Sequence, residues 1–263
     1  MTADPRWSDL ATRLATGGVI AALGLSGVVL GGVWFQMLAV FVTAVMIWEL
    51  SVIIHPQGAQ RAVLLAALTA SVLSGMFTIV DPRGLALFML IPLLGALVLP
   101  RGRWVFLVYA LGIVMAGWGL VTFREIYGFV WILWLFAVIA ATDMAGYFAG
   151  RAIGGRRFWP AISPSKTWAG IVAGWAAAAG VGAAFTAFSG AGWQVIWISV
   201  LVSFASQMGD IAESALKRRF QVKDSSAILP GHGGLFDRFD GVLGGALFML
   251  AAAYVFDVPG VAF

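Results

Sequence analysis

The sequence predicts an all-α fold: a polytopic integral membrane bundle of about nine transmembrane helices with its N-terminus in the cytoplasm. Three observations predict it. The 263 residues are 61% hydrophobic and 11% charged, with a mean hydropathy of +0.96, whereas globular chains carry about 25% charged residues. The excess cannot be buried in one core, and disorder, collagen and coiled coil would need low hydrophobicity, periodic glycine or charged heptads. The apolar residues gather into runs near the ~20 residues that a spanning helix requires. The basic residues fall mostly on one side of those runs.

Nine runs are read in order, at residues 14–34, 35–54, 62–80, 84–99, 104–121, 127–148, 168–188, 193–208 and 241–256. The polar start MTADPRWSDL has no cleavage-like stretch behind a short apolar core, so the first run reads as a retained span. The first two runs touch at Gly31 and Gly32. All nine are apolar on every face, whereas a β-barrel needs short strands with a polar lumen side. Trp34, Trp104, Trp159, Trp168 and Trp193 stand at predicted ends as interface anchors. The segment SPSKT, residues 163–167, has two even readings: a turn fixed by Pro164 from which Lys166 reaches a phosphate, and a helix cap with a snorkelling Lys166. Gly170, Gly174, Gly180, Gly241, Gly244 and Gly245 read as close helix packing.

With the N-terminus inside, 14 of the 16 basic residues face the cytoplasm and only Arg83 and Arg124 face out. Nine of the 14 sit in two loops with a chemical reason to be basic, and the remaining five against two favour the same orientation. The net charge of +4 therefore describes one membrane face, with no nucleic-acid footprint. Zero cysteines exclude disulfides, thiolate metal sites and cysteine nucleophiles. Residues 1–263 read as one membrane domain, with 1–125 as scaffold helices and 126–256 as catalytic helices and cytoplasmic loops.

An ionisable residue inside a bilayer costs a few kcal/mol, so each one needs a reason. Asp4, Asp9, Asp81, Glu125 and Asp257 fall in terminal or loop segments. Glu49 stands alone in its run and reads as hydrogen-bonded inside the bundle. Asp143 is late in the sixth run, Asp210 and Glu213 close the eighth, and Asp237 and Asp240 open the ninth. A spacing of three puts each of those pairs on one helical face. Such pairs read as a hard-cation site, and Mg2+ fits best because it takes one or two carboxylates and fills its shell with water and substrate phosphate. The competing reading pairs each acid with a nearby cation such as Arg238, and composition alone leaves the two even.

The basic loops favour the metal. Lys217, Arg218, Arg219 and Lys223 follow Asp210, while Arg151, Arg156, Arg157, Lys166 and Thr167 follow Asp143. Carboxylates holding an ion among cations and glycines are the parts that phosphoryl or nucleotidyl transfer requires, because such reactions depend mostly on positioning and charge neutralisation. In PGHGGLFDRFD, Pro230, Gly231, Gly233 and Gly234 permit a close backbone approach to phosphate just before a helix N-terminus, and His232 lies between two of those glycines. His55 reads as structural or interfacial. The motifs HExxH, GxSxG and GxxxxGK[ST] do not occur.

Residues 214–240, SALKRRFQVKDSSAILPGHGGLFDRFD, resemble the C-terminal signature of the phosphatidate cytidylyltransferases. GDIAES just before it and DMAGYFAGR with SPSKT are similar to further family segments, so the likeness is detailed from Asp143 to Asp240. The resemblance implies that CTP and phosphatidate give CDP-diacylglycerol and pyrophosphate, with a divalent cation, Mg2+, on the triphosphate; whether a second cation, monovalent or divalent, takes part is left open. It implies Asp210 and Asp237 as metal carboxylates, with Asp143, Glu213 and Asp240 as further ligands or their supports. Lys217, Arg218 and Lys223 match positions that hold lipid or nucleotide phosphate. Lys166, Thr167, His232 and Gly233 match the nucleotide side, and Ser163, Gly234 and Arg238 are expected to bind substrate beside them. Ser165, Ala169 and Ser225 depart from the common pattern and bear on the detailed contacts of those loops.

CTP and Mg2+ are cytosolic and phosphatidate is a membrane lipid, which implies a bacterial inner membrane with the site facing the cytoplasm. Glycine-rich helix faces suit a homodimer. The rivals are a CTP-dependent polyprenol or phytol kinase, which needs a hydroxyl acceptor, and a secondary transporter, which would place acids at midspan within inverted repeats.

Overall fold

A computed structural model describes residues 5–78, 82–229, 233–255 and 257–258. Among them are nine α-helices: α1 (Pro5–Leu30), α2 (Gly32–Ile54), α3 (Ala59–Met76), α4 (Leu90–Val98), α5 (Arg103–Tyr127), α6 (Phe129–Ala152), α7 (Trp168–Ser189), α8 (Gln194–Arg219) and α9 (Phe236–Val255). A 3-10 helix, Pro82–Met89, runs directly into α4. The all-α polytopic membrane bundle is therefore the observed fold. Seven helices, α2, α3 and α5 to α9, are long and apolar enough to cross a membrane, while the apolar parts of α1 (Thr16–Leu30) and of the α4 region (Ala86–Val98) are shorter. Each of the nine expected runs holds a helix, and among the described residues seven of these helices meet that length and hydropathy. At 1.5 Å per residue, the nine residues of α4 rise only about 14 Å, under half of a ~30 Å hydrocarbon core.

The break between α1 and α2 falls at Gly31, whose φ of +65° is left-handed, at the glycine pair where the two runs were expected to touch. Two boundaries differ from expectation. Helix α8 continues 11 residues beyond Met208, about 16 Å, and helix α9 begins five residues before Gly241. Hydropathy stops where charges begin, but the backbone keeps its helical hydrogen bonds. The acids expected at helix ends thus stand inside helices.

The chain divides into two compact units, one of Met1–Thr122 with Phe220–Arg238 and one of Phe123–Arg219 with Phe239–Phe263. The break after Thr122 lies close to the expected scaffold boundary. The segment Phe220–Arg238, expected among the catalytic helices, belongs with the first 122 residues.

In the first unit α2 packs along α3, with Ile47, Leu50, Leu65 and Leu73 buried. Gly117 of α5 lets Thr43 of α2 approach, since a Cβ there would strike the threonine hydroxyl. In the second unit α6, α7 and α8 pack together through small residues. A Cβ at Gly170 would lie 2.7 Å from the Gly146 carbonyl oxygen, and one at Gly174 would lie 2.7 Å from Gln207 Nε2. Gly241, Gly244 and Gly245 seat α9 on Ser206, Ala205 and the pair Ile139 and Leu135. Buried polar side chains cross-link this unit: Trp134 Nε1 donates to Ser199 Oγ (3.1 Å), Thr142 Oγ1 lies 2.8 Å from Ser203 Oγ, and Trp175 Nε1 donates to Gln207 Oε1 (3.0 Å).

Between α6 and α7 the chain makes a small antiparallel hairpin, β1 (Arg157–Trp159) and β2 (Ser163–Thr167), with Arg157 opposite Thr167 and Trp159 opposite Ser163. SPSKT is therefore a strand. The expected cap is present at its end: Thr167 is extended and its hydroxyl accepts the Gly170 N–H at 3.2 Å. Phe158 stacks edge-on against Trp168 at 4.8 Å, which ties the hairpin to the start of α7.

Candidate active site

In the first unit the candidate residues lie on the connection that follows Phe220 and joins α8 to α9. Its course is held by two carboxylates. Asp237, in the first turn of α9, reaches back over the connection. Its Oδ2 accepts the Ser225 N–H at 2.9 Å, the Ser225 hydroxyl at 3.0 Å and the Gly234 N–H at 2.8 Å. Glu49 comes up from α2 and is fully buried. Its Oε1 accepts the Ser226 hydroxyl at 2.5 Å and the Leu235 N–H at 2.9 Å, while Oε2 accepts the Phe236 N–H at 2.6 Å. A buried charge without partners costs several kcal/mol, and three donors offset that here. Glu49 is hydrogen-bonded inside the bundle as expected. Its partners in the connection are a new observation.

The glycines of this segment have local causes. Gly233 has φ +80°, and a Cβ on it would meet Asp237 Oδ2 at 2.5 Å. A Cβ on Gly234 would collide with both Ser225 Oγ and Glu49 Oε1. The first N–H groups of α9, expected to face phosphate, face Glu49 instead, and the Gly234 N–H faces Asp237. A helix N-terminus attracts anions, and here two side chains of the chain itself supply them. Lys223 and Arg238 are exposed. His232, with Pro230 and Gly231, lies outside the described residues.

In the second unit the candidate residues gather around α8. Lys166 of β2 makes an ion pair with Asp210, Nζ to Oδ2 at 2.5 Å. Asp143 of α6 and Asp240 of α9 lie within electrostatic range of both Asp210 and Lys166. The backbone allows this approach because Gly209 faces the Asp240 carbonyl with no room for a side chain. Three acids from three helices thus face one lysine from the hairpin. One turn further along α8, Glu213 pairs with Lys217 at 2.7 Å, four residues on, and is 2% exposed. Arg218 is exposed, with Nε 3.5 Å from the Ile162 carbonyl at the hairpin turn. Ser163 and Thr167 are buried, which makes them supports of the hairpin.

Both readings of the acids find contacts here. Asp210 and Glu213 are paired with cations, as the competing reading expects, and Asp143 and Asp240 add two further carboxylates within electrostatic range of Asp210, as an ion site would. Among the described residues no three acidic or imidazole groups converge closely enough to enclose one ion. The donor set therefore fits a hard cation held by one or two carboxylates together with waters and phosphate oxygens, as Mg2+ commonly is, and does not fit an all-protein cage.

Comparison with known proteins is consistent with this chemistry. The profile of the Cytidylyltransferase family matches residues 11–256. The chain is 35% identical over 268 residues to the phosphatidate cytidylyltransferase of Brucella suis, covering 97% of each. It is 32% identical over 257 residues to the phosphatidate cytidylyltransferase of Bacillus subtilis, covering 89% of this chain and 94% of that one. A third relative of the same name, from Staphylococcus saprophyticus, is 38% identical over 156 residues, covering 56% of this chain and 60% of its own. With a match that takes in nearly every helix and both carboxylate clusters, this chain belongs to the Cytidylyltransferase family.

Proposed function

We infer that this chain is a phosphatidate cytidylyltransferase, forming CDP-diacylglycerol and pyrophosphate from CTP and phosphatidate. The observation that carries this reading is the 35% identity to a protein of that activity across 97% of both chains. The atoms balance simply. An oxygen of the lipid phosphate forms a bond to the α-phosphorus of CTP, the bond from that phosphorus to the bridging oxygen breaks, and pyrophosphate leaves with the electron pair. A phosphate monoester is already anionic at neutral pH, so the attack needs no separate general base.

What this chain's residues must do is bring two polyanions together. Lys166, Lys217, Arg218 and Lys223 offset phosphate charge, and the hairpin fixes Lys166 at the end of a strand. Mg2+ would be held by Asp210, with Asp143 and Asp240 beside it and Asp237 added by the family resemblance, and it would draw charge from the triphosphate as pyrophosphate departs. Glu213 serves this reading by fixing Lys217. On nucleotide binding Lys166 would exchange Asp210 for phosphate, and Asp210 would then be available to hold a cation.

The reading puts the protein in a bacterial inner membrane with its site toward the cytoplasm, supported by the distribution of basic residues. A homodimer would rest on glycine-rich helix faces not occupied within a unit; Gly170, Gly174, Gly241, Gly244 and Gly245 make contacts within their own unit, whereas Gly180 has open space.

Purified protein given CTP, phosphatidate and Mg2+ is expected to yield CDP-diacylglycerol and pyrophosphate in equal amounts. CDP appearing together with a phosphorylated polyprenol or phytol, and no nucleotide on the lipid, would favour the kinase.

A further inference from the structure

Glu49 takes no part in the chemistry set out above. It lies on α2, 177 residues before the nearest of its partners. Its three donors come from both ends of one segment: the Ser226 hydroxyl from one side, and the Leu235 and Phe236 N–H groups from the other. One carboxylate therefore staples two points of the chain nine to ten residues apart. Asp237 makes a second staple beside it, on Ser225 and Gly234. The two alternate along the chain: Ser225 and Gly234 go to Asp237, while Ser226, Leu235 and Phe236 go to Glu49. Gly234 has no side chain because any would meet Glu49 Oε1 and Ser225 Oγ. The Ser226 hydroxyl also accepts the Ile228 N–H at 3.3 Å, so its own proton is directed at Glu49. A carboxylate against the first N–H groups of α9 further suits the positive end of that helix.

We propose that Glu49 is a positioning residue for nucleotide binding, acting through Ser226, Leu235 and Phe236 to hold residues 220–229 and 233–235 in the form that presents the exposed Lys223 to the triphosphate. The buried carboxylate adds no contact to substrate. It raises the fraction of molecules whose connection is already in the binding form, and apparent affinity scales with that fraction. The kinetic part rests on the nucleotidyl-transfer reading; the structural part does not.

The experiment compares wild type, Glu49→Gln and Glu49→Asp in detergent micelles without nucleotide, by amide hydrogen exchange. Glutamine keeps the shape but has one acceptor oxygen, and its NH2 faces one of the same donors. Exchange across residues 226–236 is expected to speed up about tenfold in Glu49→Gln, with α7 and α8 unchanged, and less in Glu49→Asp, which retains the carboxylate. In the assay, KM for CTP is expected to rise about tenfold in Glu49→Gln, with kcat and KM for phosphatidate within about twofold of wild type. Unchanged exchange over 226–236, or equal acceleration through every helix, would overturn the proposal. Wild type that makes no CDP-diacylglycerol while the exchange result holds would overturn the activity and leave the positioning role standing. Should Glu49→Gln fail to fold, Glu49→Asp carries the same comparison.

Discussion

A methyl group at residue 234 would occupy the space where Ser225 Oγ and Glu49 Oε1 meet. Neither neighbour can give way freely, since each is fixed by a further hydrogen bond. Gly234→Ala is therefore expected to destabilise the protein by about 1–3 kcal/mol, the usual cost of overpacking, and to lower cytidylyl transfer at least tenfold; thermal unfolding in detergent and the turnover assay measure the two. Normal melting and normal activity would show that the two carboxylates can move apart. Sequence reasoning found these glycines from the right pattern and assigned them to phosphate. Their direct partners are the carboxylates of Glu49 and Asp237. That cause was hidden because the donors to Glu49 are mostly backbone N–H groups, which leave no residue type to recognise, and because the acceptor is remote in sequence. The acids Asp143, Asp210 and Asp240 were legible one by one, since Asp143 interrupts an apolar run and Asp210 and Asp240 stand at the edges of two others. That they share Lys166 depends on how three helices and a hairpin fold.

At the scale of elements, apolar runs located the helices well and their ends poorly. The extension of α8 to Arg219 brings Glu213 and Lys217 onto one face, four residues apart, as a helix requires. The hairpin was missed because SPSKT carries a proline and small polar residues, the composition of a turn, while its pairing with Arg157–Trp159 is set by the three-residue return between the strands. Small residues predicted close packing, and at α6, α7 and α8 that packing is present. Two glycines of α7 separate packing from simple propensity. Gly174→Ala must displace Gln207 Nε2, 2.7 Å from the new carbon, and Thr142 Cγ2 at 3.0 Å, whereas Gly180→Ala meets nothing within 4 Å. Gly174→Ala is expected to lower the unfolding temperature through a loss of about 1–3 kcal/mol; Gly180→Ala is expected to hold or raise it, since alanine favours helix by about 0.5–1 kcal/mol. The reverse order in a melting experiment would contradict the close crossing.

At the scale of the whole molecule, about half of the 28 ionised residues fall between Asp143 and Asp240, and most of the rest of the chain is apolar helix. Residues 1–125 read as scaffold for lack of charge, and Glu49 among them holds the family's signature segment through Ser226, Leu235 and Phe236. Because the chain has no cysteine, its orientation can be tested with single introduced thiols. In intact cells an impermeant maleimide is expected to label Glu125→Cys and to leave Ala227→Cys unlabelled until the membrane is opened; the opposite pattern would invert the topology. The central claim is that the nucleotidyl group, and not the terminal phosphate, moves to the lipid. CTP labelled in its α-phosphate or in its γ-phosphate, given with phosphatidate, decides this directly: the α-label is expected in the lipid fraction and the γ-label in pyrophosphate. Recovery of the γ-label in lipid, with the α-label left in CDP, would contradict the account.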